Sequence, residues 1–278
     1  MASKPKISFE YFPPKTDAGR EKLIRETTPA LQSVNPAYFS VTYGAGGSTR
    51  DNTRGTVMAL RELGISVAPH LSFGGDDEAT IAAILEDYKT AGIDRLVALR
   101  GDLPSGTGAG ARTVYANELV EFVRAKTGDH FTIEVAAYPE IHPQAESYES
   151  DIQYLKGKFD AGADSAITQY FYNVESYFYF LDRCAAIGID KPIYAGIMPI
   201  TNYANLARFS RNCGAEIPRW ICKRLEGFAD DSESIAAFGV DVVSQLCQTL
   251  IESGAPGIHF YSMNQAQPTL KICDNLGL

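Results

Sequence analysis

The chain has 278 residues, of which 45% are hydrophobic and 21% are charged, and its net charge is −9 at pH 7. This length suits one large domain or two small ones, and α/β barrels often reach it undivided. The acidic balance argues against nucleic acid or an anionic membrane as the main partner. The sequence has no apolar leader and no run of 18 apolar residues, so we expect a soluble, cytoplasmic protein.

Short β-rich runs alternate with amphipathic helical stretches eight times along the chain. The predicted strands are Ile7–Phe12, Tyr38–Thr42, Val67–His70, Arg95–Leu99, Phe131–Ala137, Ala166–Gln169, Pro192–Ile197 and Gly257–Tyr261. The predicted helices lie around residues 18–33, 49–63, 77–91, 114–126, 150–161, 174–187, 202–211, 218–225, 232–253 and 268–276. This alternation predicts an α/β fold, a single (β/α)8 TIM barrel over residues 1–278.

The first predicted strand carries a carboxylate, Glu10, between Phe9 and Tyr11. A buried carboxylate is costly unless it is paired or protonated. If the strand lines a barrel, Glu10 points inward near its carboxyl end, where an apolar site would raise its pKa and suit it to donate a proton. The alternative is a core Glu paired with an Arg.

Neither the cysteines and histidines nor the glycine-rich segment predicts a metal site or a dinucleotide site. The five cysteines include no CxxC pair and the four histidines show no metal-ligand spacing, so we expect reduced thiols and no metal site. Residues 106–111 match the dinucleotide fingerprint G-x-G-x-x-A, but the preceding predicted strand ends several residues earlier. That fingerprint needs a strand running directly into the glycine turn, so a flexible loop at a site mouth is the favoured interpretation.

Polar or aromatic residues follow nearly all the predicted strands, which is where a barrel of this type carries its chemistry. Several of these segments, in chain order, resemble methylenetetrahydrofolate reductase. They are Phe9-Glu10-Tyr11-Phe12-Pro13-Pro14, Ser40-Val41-Thr42-Tyr43-Gly44-Ala45, Ala68-Pro69-His70-Leu71, Ala98-Leu99-Arg100-Gly101-Asp102-Leu103-Pro104, Ala136-Ala137-Tyr138-Pro139-Glu140-Ile141-His142-Pro143, Asp160-Ala161-Gly162-Ala163 and Ile167-Thr168-Gln169-Tyr170-Phe171. The resemblance covers essentially the whole chain. The chain is similar to bacterial catalytic subunits, and we expect no regulatory domain.

The resemblance implies a flavoprotein that uses NADH or NADPH to reduce 5,10-methylenetetrahydrofolate to 5-methyltetrahydrofolate, in support of methionine synthesis. The reaction passes hydride through FAD in two half-reactions. The folate half needs an acid, because the folate ring opens only when the leaving nitrogen is protonated. By resemblance this acid is Glu10, and Asp102 lies near both flavin and pterin. The family also commonly forms homo-oligomers.

The resemblance further assigns residues to each ligand. Those assigned to FAD are Thr42, Tyr43, Ala45, His70, Arg100, Gly101, Asp102, Ala116, Tyr138, His142, Ala145, Asp151, Tyr154 and Lys158. Arg100 and Lys158 would supply the positive charge that a pyrophosphate needs. Those assigned to folate or nicotinamide are Gln169, Asn205, Phe209 and Gln265. Taken singly, Asp102 also suits a turn, Asp151 a helix cap, and His70, His142 and Phe209 a core.

Three positions depart from the family pattern. Gln265 stands where many relatives carry Arg, Asn205 where they carry Gln, and Gly157 where some carry a basic residue. We expect these changes to affect affinity and donor preference more than the reaction. Two other functions stay open at this point: a flavin-free folate-binding methyltransferase barrel, which predicts a colourless protein, and a non-catalytic subunit of a partner oxidoreductase.

Overall fold

The fold is a closed barrel of eight parallel strands, each bonded to its neighbours in chain order, with β8 closing on β1. The computed structural model describes residues 5–43, 50–74, 76–101 and 114–278. The strands are β1 Lys6–Tyr11, β2 Tyr38–Val41, β3 Val67–Leu71, β4 Arg95–Ala98, β5 Thr132–Ala137, β6 Ser165–Thr168, β7 Ile193–Ile197 and β8 Gly257–Tyr261. The predicted single-domain (β/α)8 barrel is therefore confirmed.

The helices form the outer ring. They are α1 Asp17–Lys22, α2 Thr28–Gln32, α3 Arg50–Glu62, α4 Glu78–Thr90, α5 Ala116–Thr127, α6 Tyr148–Asp160, α7 Val174–Ala186, α8 Tyr203–Cys213, α9 Arg219–Gly227, α10 Ser232–Glu252 and α11 Gln267–Asn275. Most begin at a side-chain cap, such as Asp77, which accepts from the Thr80 N–H at 2.8 Å.

The predicted helix over 18–33 is wrong in one detail. A π-helical segment, Leu23–Thr27, separates α1 from α2. Pro29 lies in the first turn of α2 and has no N–H to give to the preceding turn. The Thr28 N–H donates five residues back to the Leu23 carbonyl, and the Thr28 hydroxyl donates to the same carbonyl at 2.8 Å. The helix is therefore wider at this point, as is usual for a π segment within a helix.

Strand alternation creates two cores. Outward-facing Phe9 packs on Phe39 and Phe260, with ring centroids 5.5 and 5.9 Å apart, in the layer between strands and helices. A smaller cluster that includes Tyr38 and Val97 fills the barrel interior. Glu10, next to Phe9, therefore points into the barrel, as predicted.

Helix α10 is long and apolar enough to cross a membrane by length and composition, with a mean hydropathy of 1.4. It lies in the outer ring, however, where it contacts α7 and α11. Val243, Cys247 and Leu250 on one of its faces are buried. We therefore interpret α10 as a core helix of the barrel.

Candidate active site

Glu10 meets two histidines inside the barrel. It is only 9% exposed, and its Oε2 lies 3.3 Å from His70 Nε2 and 3.6 Å from His259 Nε2. His70 comes from β3 and His259 from β8, so the three side chains converge from separate strands. These described ion-pair partners are imidazoles, so the alternative of a core Glu paired with an Arg does not hold.

His259 is itself held from its other side. Its Nδ1 is hydrogen-bonded to Ser8 Oγ at 2.7 Å, and the ring is fully buried. Sequence reasoning missed this residue, although a histidine between Ile258 and Phe260 in an apolar strand was a usable signal. We call Ser8, Glu10, His70 and His259 the acid centre.

The expected upward shift of the Glu10 pKa is wrong. Burial raises that pKa, but the interactions with His70 and His259 together outweigh it and lower the pKa to about 2. The prediction assumed an apolar surrounding, whereas two hydrogen-bonding rings that can carry positive charge face the carboxylate. With these neighbours Glu10 is ionised at neutral pH.

A large cavity of about 910 Å³ opens at the carboxyl ends of strands β2 to β5, the end of the barrel at which Glu10 and His70 lie. Ten of the residues predicted to bind FAD line it: Tyr43, Arg100, Gly101, Ala116, Tyr138, His142, Ala145, Asp151, Tyr154 and Lys158. Thr42 and His70 lie outside this lining, although Thr42 directly follows β2 and His70 belongs to the acid centre. Ala45 and Asp102 lie outside the described residues, as does the glycine-rich segment 106–111.

Cationic side chains reach into this cavity. The half-buried Lys158 donates from Nζ to the Ala136 carbonyl at 2.7 Å, and its burial lowers its pKa to about 8 despite the opposing effect of Asp151. Arg100 donates to Gln144 Oε1 at 2.5 Å. Burial raises the pKa of Asp151, whose carboxylate accepts from the His142 N–H at 2.7 Å. Among the described residues, the cavity therefore offers two cations with few carboxylate partners, which suits an anion.

Several lining residues were missed by sequence reasoning: Arg50, Ser72, Asp76, Tyr115, Asn117, Gln144 and Gln153. Three polar groups among the lining residues form one cluster. Arg50 Nε donates to the Tyr43 hydroxyl at 3.1 Å, that hydroxyl donates to Asp76 at 3.3 Å, and Arg50 pairs with Asp76. The cluster joins segments that follow β2 and β3, a long-range contact that no local pattern predicts.

The residues predicted to bind folate or nicotinamide lie on the remaining part of the barrel mouth. Gln169 directly follows β6, and its Oε1 accepts from the Tyr170 N–H at 3.0 Å. On α8, Asn205 is exposed and Phe209 is half-buried. Gln265 is exposed after β8. None of these four lines the large cavity, and their role in substrate binding stays a prediction.

The family model described as methylenetetrahydrofolate reductase matches residues 1–277. The 5,10-methylenetetrahydrofolate reductases of Escherichia coli (strain K12) and Pectobacterium carotovorum are each 39% identical over 273 residues, which is 98% of this chain and 90% of each relative. Methylenetetrahydrofolate reductase (NADH) 1 of Arabidopsis thaliana is 37% identical over 98% of this chain and 48% of its own length.

Solved structures show the same barrel. An uncharacterized protein from Clostridium thermocellum, described as binding two copies of 5-methyl-5,6,7,8-tetrahydrofolic acid, has a TM-score of 0.72 and 17% identity over 100% of this chain and 97% of its own. A mutant tryptophan synthase alpha-subunit from Pyrococcus furiosus has a TM-score of 0.55 and 14% identity over 100% of both chains. At these identities the likeness concerns the fold alone.

Proposed function

Because the chain belongs to the methylenetetrahydrofolate reductase family and is thus an oxidoreductase, we propose that it reduces 5,10-methylenetetrahydrofolate to 5-methyltetrahydrofolate with FAD as its cofactor and a reduced nicotinamide dinucleotide as its electron source. The observation that carries this proposal is the presence of a buried acid centre and a large cationic cavity at the same end of the barrel. FAD, when bound, supplies the hydride chemistry that links the two substrates.

The large cavity suits FAD in size and in charge. Its volume of about 910 Å³ falls in the range of roughly 300–1,000 Å³ that is typical of cofactor pockets. Lys158 and Arg100 would hold the diphosphate, since partly desolvated cations bind phosphate strongly in a protein that is acidic overall. Tyr115 and Tyr154 are exposed at the same cavity and would give the adenine apolar contact.

The acid centre would supply the proton for folate reduction. Glu10 Oε2 lies 3.3 Å from His70 Nε2, a distance across which a proton would reach the carboxylate and convert it into a carboxylic acid. In that form Glu10 donates its proton to the leaving nitrogen of the folate, and the ring can open. His259, fixed by Ser8, supports the same carboxylate from the opposite strand.

We further propose substrate contacts, a location and an assembly state for this protein. Gln169, Asn205, Phe209 and Gln265 would contact folate or nicotinamide; Asp102 would contribute near the flavin; the protein would act in the cytoplasm; and it would form a homo-oligomer. Bleaching of the flavin by NADH or by NADPH identifies the electron donor.

The test is a purified protein with a flavin spectrum and two separable half-reactions. We expect absorbance bands of bound FAD, bleaching of those bands by NADH or NADPH under anaerobic conditions, and their return on addition of methylenetetrahydrofolate. A protein that stays colourless after incubation with FAD contradicts the proposal and favours the flavin-free methyltransferase. Flavin that is bound but is reoxidised by no folate favours the non-catalytic subunit.

A further inference from the structure

The loop after β8 is hydrogen-bonded to the segment that follows β1, the strand that carries Glu10. The side-chain amide of Asn264 accepts from the Phe12 N–H at 2.9 Å and donates to the Phe12 carbonyl at 2.8 Å. Two residues earlier, Ser262 Oγ donates to the Glu10 carbonyl at 2.7 Å. Both polar backbone groups of Phe12 are thus satisfied by one side chain from the far end of the sequence.

The loop that makes these hydrogen bonds has a strained backbone. Met263 and Asn264 are consecutive non-glycine residues with positive φ, at 52° and 57°. The left-handed region is unfavourable for L-residues, although Asn tolerates it better than Met does. Such strain persists where surrounding contacts impose it and often marks functional sites. Here the two hydrogen bonds to Phe12 are the contacts that the strained turn makes possible.

The side chain of Phe12 is left at the surface of the mouth. It is 42% exposed and lies two residues beyond Glu10, whose carboxylate belongs to the acid centre. The large cavity is lined by residues that follow β2 to β5, so Phe12 and Asn264 lie on the remaining arc, between β8 and β1. The hydrogen bonds fix the backbone of Phe12, and its exposed ring is available to contact a flat ligand at this part of the mouth.

We propose that the Phe12 ring is a stacking surface for the aminobenzoyl ring of the folate substrate, and that Asn264 is the positioning residue that holds this ring beside Glu10. The inference rests on the proposed function. It follows from the chemistry of the substrate, because the leaving nitrogen that Glu10 protonates carries the aminobenzoyl ring as its substituent. A ligand whose nitrogen reaches Glu10 therefore brings an aromatic ring to the adjacent mouth, where Phe12 lies.

The test is a double-mutant cycle on the holoenzyme, with the Kd for 5-methyltetrahydrofolate as the readout. Phe12→Ala should weaken folate binding about threefold to tenfold, the range of aromatic pair energies. Asn264→Ala should weaken it similarly, and the double variant should be no weaker than Phe12→Ala alone, because both changes remove the same contact. FAD affinity and the rate of flavin reduction by the nicotinamide should stay unchanged in all three.

Two further variants keep the result interpretable. Asn264→Asp retains the acceptor for the Phe12 N–H and tolerates positive φ, but it loses the donor, so it should fall between wild type and Asn264→Ala. Leu63→Ala removes another exposed apolar side chain, 58% exposed, at the opposite end of the barrel between α3 and β3. It should leave the folate Kd unchanged.

Additive losses in the double variant, or an unchanged Kd in Phe12→Ala, would overturn the inference while leaving the proposed function intact. A loss confined to nicotinamide kinetics would overturn it too. If the wild-type holoenzyme binds no folate, the proposed function itself fails and this inference falls with it.

Discussion

The acid centre and the large cavity occupy the same end of the barrel but handle charge in opposite ways. Around Glu10, two imidazoles compensate a buried carboxylate and lower its pKa to about 2. Around Lys158, burial prevails and lowers the ammonium pKa to about 8, so the cation lacks full compensation. A group already satisfied by its neighbours suits proton exchange within the protein, whereas an undercompensated cation suits binding of an external anion. This difference supports the proposal that the acid centre carries out catalysis and that the large cavity binds the cofactor.

Replacing Glu10 by Gln should give the largest effect, and it tests whether the acid centre acts in the folate half-reaction alone. Gln keeps the shape but has no proton to donate, so the folate half-reaction should slow by about 10²–10⁴-fold. Flavin reduction by the nicotinamide needs no acid and should keep its rate. Anaerobic stopped-flow measurement of the two half-reactions separates these outcomes. Equal losses in both halves would make Glu10 a structural residue.

Replacing Lys158 by Met addresses the other region. Hydrogen bonds to charged groups contribute about 1.5–3 kcal/mol, so FAD affinity should fall by roughly 10- to 100-fold. Lys156 on the same helix is the matched control, because its ammonium pairs with Asp160 at 2.6 Å and it does not line the cavity. Lys156→Met should leave the FAD Kd within about twofold of wild type, since exposed pairs contribute little. Similar losses in both variants would indicate a general charge effect.

The barrel follows from the sequence because each strand and helix carries its own local period. The strand from Gly257 to Tyr261 was predicted with the bounds that the structure shows. The acid centre was only partly predictable. Ser8 and His259 are 251 residues apart, and the sequence of β1 shows the apolar neighbours of Glu10 but not the rings that face it across the barrel. The sign of the pKa shift was wrong for this reason.

The large cavity shows the same limit. Arg100 and Lys158 were identified through a family pattern, and both line it. Arg50 and Asp76 were missed, because their pairing joins the start of α3 to the segment after β3. Local periodicity therefore predicts elements, while cross-barrel partners need the closed structure.

A pH titration should sharpen the difference between the regions. In the free protein Lys158 loses its proton near pH 8, so FAD binding should weaken above that pH, with log Kd rising by up to about one unit per pH unit. The contribution of Lys158 to folding stability should instead increase as pH rises. Between pH 8 and 10.5 the unfolded chain holds more protons at this site than the folded chain does, so this group makes the folded protein more stable as pH rises.

Lys158→Met supplies the control for both trends. The variant has no titrating group at this position, so its FAD Kd should lack the rise above pH 8. Measurements by fluorescence quenching between pH 6.5 and 9.5 are sufficient. A wild-type Kd that is flat over this range would show that the ammonium does not contact the cofactor.

The smallest expected effect concerns Gln265, which follows the strained turn after β8 and is exposed at the mouth. An Arg at this position would gain a charge-assisted contact to a carboxylate of the folate glutamate tail. Exposed ionic contacts contribute about 0–1 kcal/mol, so Gln265→Arg should lower the folate KM by about threefold. The position lies away from the large cavity, so FAD affinity and nicotinamide kinetics should not change. Gln265→Met is the matched control, because it has a similar length without the charge, and it should leave the folate KM unchanged. If the nicotinamide KM moves instead, this residue contacts the electron donor; if neither KM moves, it lies outside the substrate site.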